Sequence, residues 1–408
     1  MVTEKIRGFR GFSMENDGKD DYLIHNYQRA PVKFVRGYGS TLVDSNDKEY
    51  LDGLSGIAVC GLGHAHPELA HVLSDQAENL WHTSNLYRVD LQESLASSLS
   101  KITNQKRVFF CNSGAEANEA AIKLAKKYGN DKGIKDPVIV TMNGSFHGRT
   151  MATLSATGNS KVHSGFSPLL QGFQHIDYDS VEKAAKAIKS RQVVAVLVEP
   201  IQGEGGIVVP EKGYLSQLRK LCDQTDTLLM LDEVQTGIGR TGKWFAFQEE
   251  SIEPDVLTIA KGLGNGIPIG ACLAKGVAAN VLTPGTHGST FGGNPLVARV
   301  ALKVLEIIER EGLLERAKHL GERIRHGFKE KLDSLDGVID IRGRGLMIGI
   351  ELEKPCSEIV DLALKERLLV NVASGNVVRL LPPLILKDQE ATMLVEKLSV
   401  IIKEFLTK

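Results

Sequence analysis

From about residue 107 onward, short apolar runs alternate with stretches of helical periodicity. Arg107-Val-Phe-Phe-Cys111 reads as a buried strand. Behind it Ala117, Ala120, Ala121, Leu124, Ala125 and Tyr128 recur at spacings of three and four, which is one face of a helix. Further strands are expected at 138–141, 193–198, 228–231, 256–260 and 271–274, with helical stretches such as 214–222 between them. Strand and helix in alternation indicate an α/β fold with a mainly parallel sheet covered on both faces. Ligands of such sheets bind beyond the carboxyl ends of the strands. The residues that end each apolar run are therefore the ones to read for chemistry.

After Pro295 the pattern changes. Residues 296–311 and 313–332 read as two amphipathic helices, and 337–352 holds two strand-like runs around Arg342-Gly-Arg-Gly345. A helix, a strand-like run at 376–380, the Pro382-Pro383 break and a final helix at 387–406 follow. This is an α+β unit. The expected division is 60–295 for a large ligand-binding domain and 296–408 for a smaller one. Residues 1–59 join the smaller one through strands at 41–44 and 49–52, separated by a polar turn. Residues 1–20 read as a polar leader, and they carry no apolar run that would make them a signal peptide.

Composition narrows the partners. The formal net charge is −1, so no excess of either sign draws the chain to nucleic acid or an anionic membrane. No stretch is long and apolar enough to span a bilayer. Cys60, Cys111, Cys222, Cys272 and Cys356 form no Cys-x-x-Cys pair and read as small hydrophobes of a reducing, cytoplasmic compartment.

Two strand ends carry charge. The run 256–260 meets Lys261, and 228–231 meets Asp232. A desolvated lysine at a strand end can shed its proton and form a Schiff base. A buried carboxylate nearby can keep the ring nitrogen of pyridoxal phosphate protonated. Cys111-Asn-Ser-Gly-Ala-Glu-Ala117 turns a strand into a helix, whose free N–H groups can hold a phosphate; Ser113 either caps the helix or donates to phosphate. In Gly144-Ser-Phe-His-Gly-Arg-Thr150, Phe146 can stack on a planar ring and Arg149 can grip a carboxylate. Glu199 and Glu204 follow a buried strand, either as an acid–base pair or as two solvated loop carboxylates. Residues 285–295 are rich in glycine and hydroxyls, which suits close backbone approach to a ligand.

Two lures fail. Gly237-Ile-Gly-Arg-Thr-Gly242 fits a dinucleotide fingerprint, but polar residues separate it from its strand and no helix pattern opens from it. His64 and His66 lack companions to complete a metal site, and read as a turn before a helix that begins at Pro67.

Together, Asn112-Ser-Gly-Ala-Glu-Ala-Asn118, Phe146-His-Gly-Arg-Thr150, Glu199-Pro-Ile-Gln-Gly-Glu-Gly-Gly206, Asp232-Glu-Val-Gln-Thr-Gly237 and Ala260-Lys-Gly-Leu-Gly264 resemble the class III aminotransferases of fold type I. The resemblance runs from about Tyr27 to the C-terminus. It implies a seven-stranded, mainly parallel sheet, pyridoxal 5'-phosphate as cofactor, no metal, and a homodimer with shared active sites. It implies that Lys261 is the Schiff-base lysine and that Asp232 pairs with the ring nitrogen. Val234 and Phe146 would sandwich the ring, Gln235 would contact its hydroxyl, and Ser113, Gly114 and Ala115 would bind phosphate, as would Thr290 across the dimer interface. Arg149, Ser289 and Arg379 would contact substrate carboxylates, with Tyr27 lining the same pocket. Glu204 would pair with Arg379 and release it when a diacid binds. Segments 287–294 and 369–383 resemble the branch that moves the δ-amino group of N-acetylornithine to 2-oxoglutarate. Succinylornithine, succinyl-diaminopimelate, ornithine and 4-aminobutyrate remain alternative amines.

Overall fold

A computed structural model describes residues 22–407. The chain separates into two compact units, one ending at Lys33 and one spanning Phe34–Lys408. Residues 22–33 of the first hold no helix or strand. The polar leader expected at 1–20 lies outside the described residues.

The second unit opens with β1 (Phe34–Tyr38), β2 (Thr41–Asp44) and β3 (Glu49–Asp52). The large sheet follows: β4 (Arg107–Cys111), β5 (Val138–Met142), β6 (Phe173–Ile176), β7 (Val193–Val198), β8 (Leu228–Asp232), β9 (Val256–Ile259) and β10 (Gly270–Ala274). Its seven strands run in the order β4-β10-β9-β8-β7-β5-β6. The pairs β6–β5–β7–β8–β9 are parallel, and β10 runs antiparallel between β9 and β4.

Every residue of β7, β8 and β9 is buried, as a strand covered on both faces requires. Alternate side chains feed different cores. Leu228 and Met230 join the cluster under the helix Gly114–Asp131, with Ala120, Leu124 and Tyr128. Leu229 and Leu231 join the larger cluster on the opposite face, with Val300, Val304 and Ile308 of the helix Pro295–Arg310. The period of two in a strand is what splits one apolar run between two cores.

A second sheet is antiparallel, built from β11 (Val338–Arg344), β12 (Met347–Leu352), β14 (Asn371–Ala373) and β15 (Val377–Leu380) in the order β11-β12-β15-β14. The short β13 (Leu368–Leu369) leaves this region and pairs in parallel with β3. Buried Arg240 donates to Leu346 O at 3.1 Å and to Pro382 O. That guanidinium ties the loop after β8 to one end of the small sheet, where Ile348 of β12 faces Leu380 of β15, and brings Arg379 of β15 toward the large sheet.

Candidate active site

The carboxyl ends of β4, β7, β8 and β9 open into a cavity of about 390 Å³, a volume suited to a small cofactor. Its lining includes Ser113, Gly114 and Ala115, Phe146 and Arg149, Glu204, Asp232, Val234, Gln235 and Lys261. These ten residues, and Glu199 beside them, are singled out by the sequence and gathered from five separate segments. Arg379 reaches the cavity through Glu204 rather than as part of its wall. Ser289 touches Asn112 of the wall, its Oγ accepting from Asn112 Nδ2 at 3.3 Å. Thr290 is exposed on the loop that carries Ser289. Tyr27 belongs to the separate N-terminal unit and is 71 % exposed.

The turn that the sequence assigns to phosphate follows from local chemistry. Ser113 Oγ accepts from Glu116 N at 3.2 Å and caps the helix, which leaves its O–H free to donate. Glu116 Oε2 reaches back to Asn112 N at 2.7 Å. The N–H groups of Gly114 and Ala115 lie in the first turn and have no intrahelical carbonyl partner. Gly114 is required here, because a Cβ would come within 2.7 Å of Val234 Cγ1.

Asp232 ends β8 and is 4 % exposed. Its Oδ2 accepts from Asn118 Nδ2 at 2.8 Å and lies 2.7 Å from His147 Nδ1; its Oδ1 accepts from Val234 N at 3.1 Å. Asn118 is held in turn by Thr258 Oγ1, 2.7 Å from its Oδ1. Asn118 and His147 lie inside the quoted motifs, yet their role as supports of Asp232 has no signature in spacing. They stand 29 residues apart and meet only in the fold.

Lys261 follows β9 with φ of 44°. A non-glycine residue held in the left-handed region is strained, and such strain concentrates at functional sites. Burial pushes its amine down to about 8, against the charge of Glu204. Neutral amine is therefore available near physiological pH.

Glu199 and Glu204 are not a solvated pair. Glu199 is 5 % exposed and accepts from Phe146 N at 2.9 Å and Gly203 N at 3.2 Å. Burial pushes its carboxyl up to about 7, with the charge of Asp232 adding to the effect and His147 opposing it. Glu204 Oε1 accepts from Arg379 Nη1 at 2.6 Å. Burial would raise the Glu204 carboxyl, but the Arg379 charge and hydrogen bond outweigh it and hold it below its ordinary value. Arg379 is 1 % exposed and also donates from Nε to Asn371 Oδ1 at 3.0 Å.

Val59 is a wall residue that the sequence did not announce. It follows four residues, Ser55 to Ala58, that all have positive φ. Asp52 Oδ1 accepts from the N–H groups of Leu54 and Ser55 and fixes the start of that turn.

The residues present fit pyridoxal phosphate. A helix N-terminus suits the phosphate, a buried carboxylate suits the ring nitrogen, and a desolvated lysine suits the aldehyde. Gln235 Oε1 is a buried acceptor with no hydrogen-bond partner among the described residues, as a contact for a ring hydroxyl would be.

Comparison with known proteins agrees. The family model for aminotransferase class-III matches residues 22–402. The acetylornithine aminotransferase of Nitrosomonas europaea is 55 % identical over 386 residues, covering 94 % of this chain and 98 % of that one. That of Aquifex aeolicus is 48 % identical, over 90 % and 96 % of the two chains. Among solved structures, the N-acetylornithine aminotransferase of Stenotrophomonas maltophilia superposes with a TM-score of 0.82 at 38 % identity, over 94 % and 98 %. An ornithine aminotransferase of Toxoplasma gondii, which holds pyridoxal phosphate at partial occupancy in its active site, superposes with a TM-score of 0.92 at 35 % identity, over 95 % and 93 %. The chain belongs to the class III aminotransferases, enzymes of fold type I that work with pyridoxal 5'-phosphate.

Proposed function

We propose that the enzyme transfers the δ-amino group of N2-acetyl-L-ornithine to 2-oxoglutarate, giving N-acetyl-L-glutamate 5-semialdehyde and L-glutamate, as a step of arginine biosynthesis. The observation that carries this reading is the buried Arg379–Glu204 contact beside Lys261. One site has to accept an ω-amine in the first half of the reaction and a diacid in the second. Paired with Glu204, Arg379 offers no free positive charge; released, it offers a guanidinium fork for a carboxylate. The curated relatives named above support the acylated amine. So does Ile57, at the position where ornithine aminotransferases carry a tyrosine. It packs against an apolar group of Ala58, Ile201, Ile207 and Leu381, which gives a charged α-ammonium no partner.

Bound pyridoxal phosphate supplies the carbonyl that takes up the amino group and a ring that stores the electron pair of the broken C–H bond. The chain does the rest. Ser113 Oγ and the N–H groups of Gly114 and Ala115 would hold the phosphate, and Phe146 and Val234 would bracket the ring. Gln235 Oε1 would accept from the ring hydroxyl. Asp232 keeps a proton on the ring nitrogen, and Asn118 and His147 hold Asp232 in place. Lys261 Nζ moves the proton of the reacting substrate carbon. Arg149, Ser289 and Arg379 orient substrate carboxylates.

Thr290, exposed on its loop, fits a homodimer in which each protomer completes the phosphate site of its partner. We assign 60–295 and 296–408 as the large and small domains; of the segment 1–59 expected to join the small one, β3 pairs with β13. Among the described residues no helix is long and apolar enough to cross a membrane, and a cytoplasmic location fits the free cysteines.

Purified holoenzyme assayed with 2-oxoglutarate against N-acetylornithine, N-succinylornithine, N-succinyl-diaminopimelate, ornithine and 4-aminobutyrate tests the reading. N-acetylornithine is expected to show the highest kcat/KM. A higher value for any other amine overturns the substrate assignment.

A further inference from the structure

Two neighbouring loops form part of the cavity wall. One, after β5, carries Phe146 and Arg149; the other, after β7, carries Glu204. Glu199 is the cavity-lining side chain that bonds to both. One of its oxygens accepts from the backbone of Phe146, and the other from Gly203, next to Glu204 in the chain. A carboxylate buried to this degree is costly unless its oxygens are used. Its own backbone is fixed as well, since Tyr178 Oη donates to Glu199 O at 3.1 Å and to Pro200 O at 3.0 Å. Gly203 cannot drift inward, because a Cβ there would meet Gln235 Oε1 at 2.3 Å. The second loop is therefore packed against a residue assigned to the cofactor, and it is tied to the first loop by this carboxylate and by Gln202 Nε2, which donates to Asn143 O at 2.9 Å.

We propose that Glu199 is a positioning residue that couples the two loops, so that release of Glu204 from Arg379 in the diacid half-reaction is transmitted to the ring-stacking side chain Phe146. This rests on the reading of the Arg379–Glu204 pair given above. The tie needs two acceptor oxygens aimed at two backbone N–H groups. The Glu199 carboxyl, raised to about 7 by burial, supplies both most strongly when ionised.

The test compares wild-type, Glu199→Gln, Glu204→Gln and doubly substituted holoenzymes. Glutamine has one acceptor oxygen; its amide nitrogen would face the other N–H, so one arm of the tie is lost. Two quantities are read: the dissociation constant of pyridoxal phosphate, by absorbance titration, and the ratio of the acyl-amine to the 2-oxoglutarate half-reaction rates, by stopped flow. In Glu199→Gln the dissociation constant is expected to rise about tenfold, the loss of one charge-assisted hydrogen bond. The half-reaction ratio is expected to fall about fivefold, because Glu204 is held less firmly on Arg379. In the Glu204→Gln background the same substitution should change the ratio by less than about twofold, since coupled residues are non-additive.

Cofactor affinity and ratio both within about twofold of wild type in Glu199→Gln overturn the proposal. An equal fall in the ratio in both backgrounds also overturns it, as a purely structural role would act independently of Glu204. A shifted ratio in Glu204→Gln with no effect of Glu199→Gln sinks the Glu199 role alone. An unshifted ratio in Glu204→Gln removes the reading of the pair and the coupling with it. If Glu199→Gln does not yield folded holoenzyme, Glu199→Asp, one methylene short of spanning both N–H groups, is judged by the same criteria.

Discussion

The two ends of the active-site cavity are held in opposite ways. At the end assigned to the cofactor ring, Asp232 sits on a strand terminus with both oxygens engaged, and its support Asn118 is itself supported by Thr258. Short side chains on two strands and the helix Gly114–Asp131 leave no alternative arrangement. At the other end, a long arginine on the small sheet meets a loop glutamate through a single 2.6 Å contact, and the Glu204 side chain is 35 % exposed. A carboxylate with both oxygens engaged by supported partners is rigid, and one charge-assisted contact is exchangeable. The chemistry shared by a family needs the first kind of site. Choosing between two substrates needs the second, because an incoming carboxylate has to replace the one already there.

The largest effect expected is at the rigid end. Lys261→Ala should abolish multiple turnover while the cofactor is still bound through the helix N-terminus and Asp232. Assay of semialdehyde formation together with the visible absorbance of bound cofactor checks both halves, and near-normal turnover would sink the assignment. Asp232→Asn should lower kcat roughly a thousandfold, about 4 kcal/mol of barrier, with the fold intact by circular dichroism. A loss below about tenfold would show that this strand end is not the ring partner.

Between these and the flexible end lies a pH effect. With Lys261 lowered to about 8, cofactor capture by the cofactor-free enzyme should speed up with rising pH. A base with a depressed pKa gains its reactive neutral form as pH climbs toward that value. The rate should increase about tenfold per pH unit below 8 and level off above it. A rise that continues past pH 9.5 in stopped-flow absorbance would place the amine at its ordinary value and contradict its burial.

At the exchangeable end, Arg379→Leu should raise KM for 2-oxoglutarate about ten- to hundredfold, the worth of one buried charge-assisted contact. The acyl-amine half-reaction should suffer less. Equal damage to both halves would erase the contrast between the two ends. The smallest effect is expected from Thr258→Val, which leaves Asn118 Oδ1 without its donor. Stability should fall by about 1–3 kcal/mol while kcat changes only about threefold. A much larger rate loss would show that the rigid network reaches further from Asp232 than its immediate partners.

Much of this was legible along the chain, for one physical reason. Strands buried on both faces must be continuously apolar, so β7, β8 and β9 stand out, and the charges that end two of them point to the site. The edge strand β6, Phe173-Gln-His-Ile176, is only partly buried and has no such run, so its pattern does not announce it. Nor does any local pattern reveal that β10 runs antiparallel, because strand direction depends on how the chain returns, not on which residues are apolar. The short β13 is set by pairing with the distant strand β3.

The same division holds at the site. Residues local to one turn, such as Ser113, Gly114 and Glu116, write their geometry into consecutive positions, since capping acts over three residues. By itself the sequence therefore determined the α/β class, the capped strand-to-helix turn after β4 and the lysine and aspartate at neighbouring strand ends. Only the tertiary structure decided that Asn118 and His147 converge on Asp232, that Glu199 is buried between two loops, and that Arg379 of the small sheet meets Glu204 across 175 positions of chain. Hydrogen bonds and ion pairs act over a few ångströms of space, and the folded backbone alone determines which distant residues come that close.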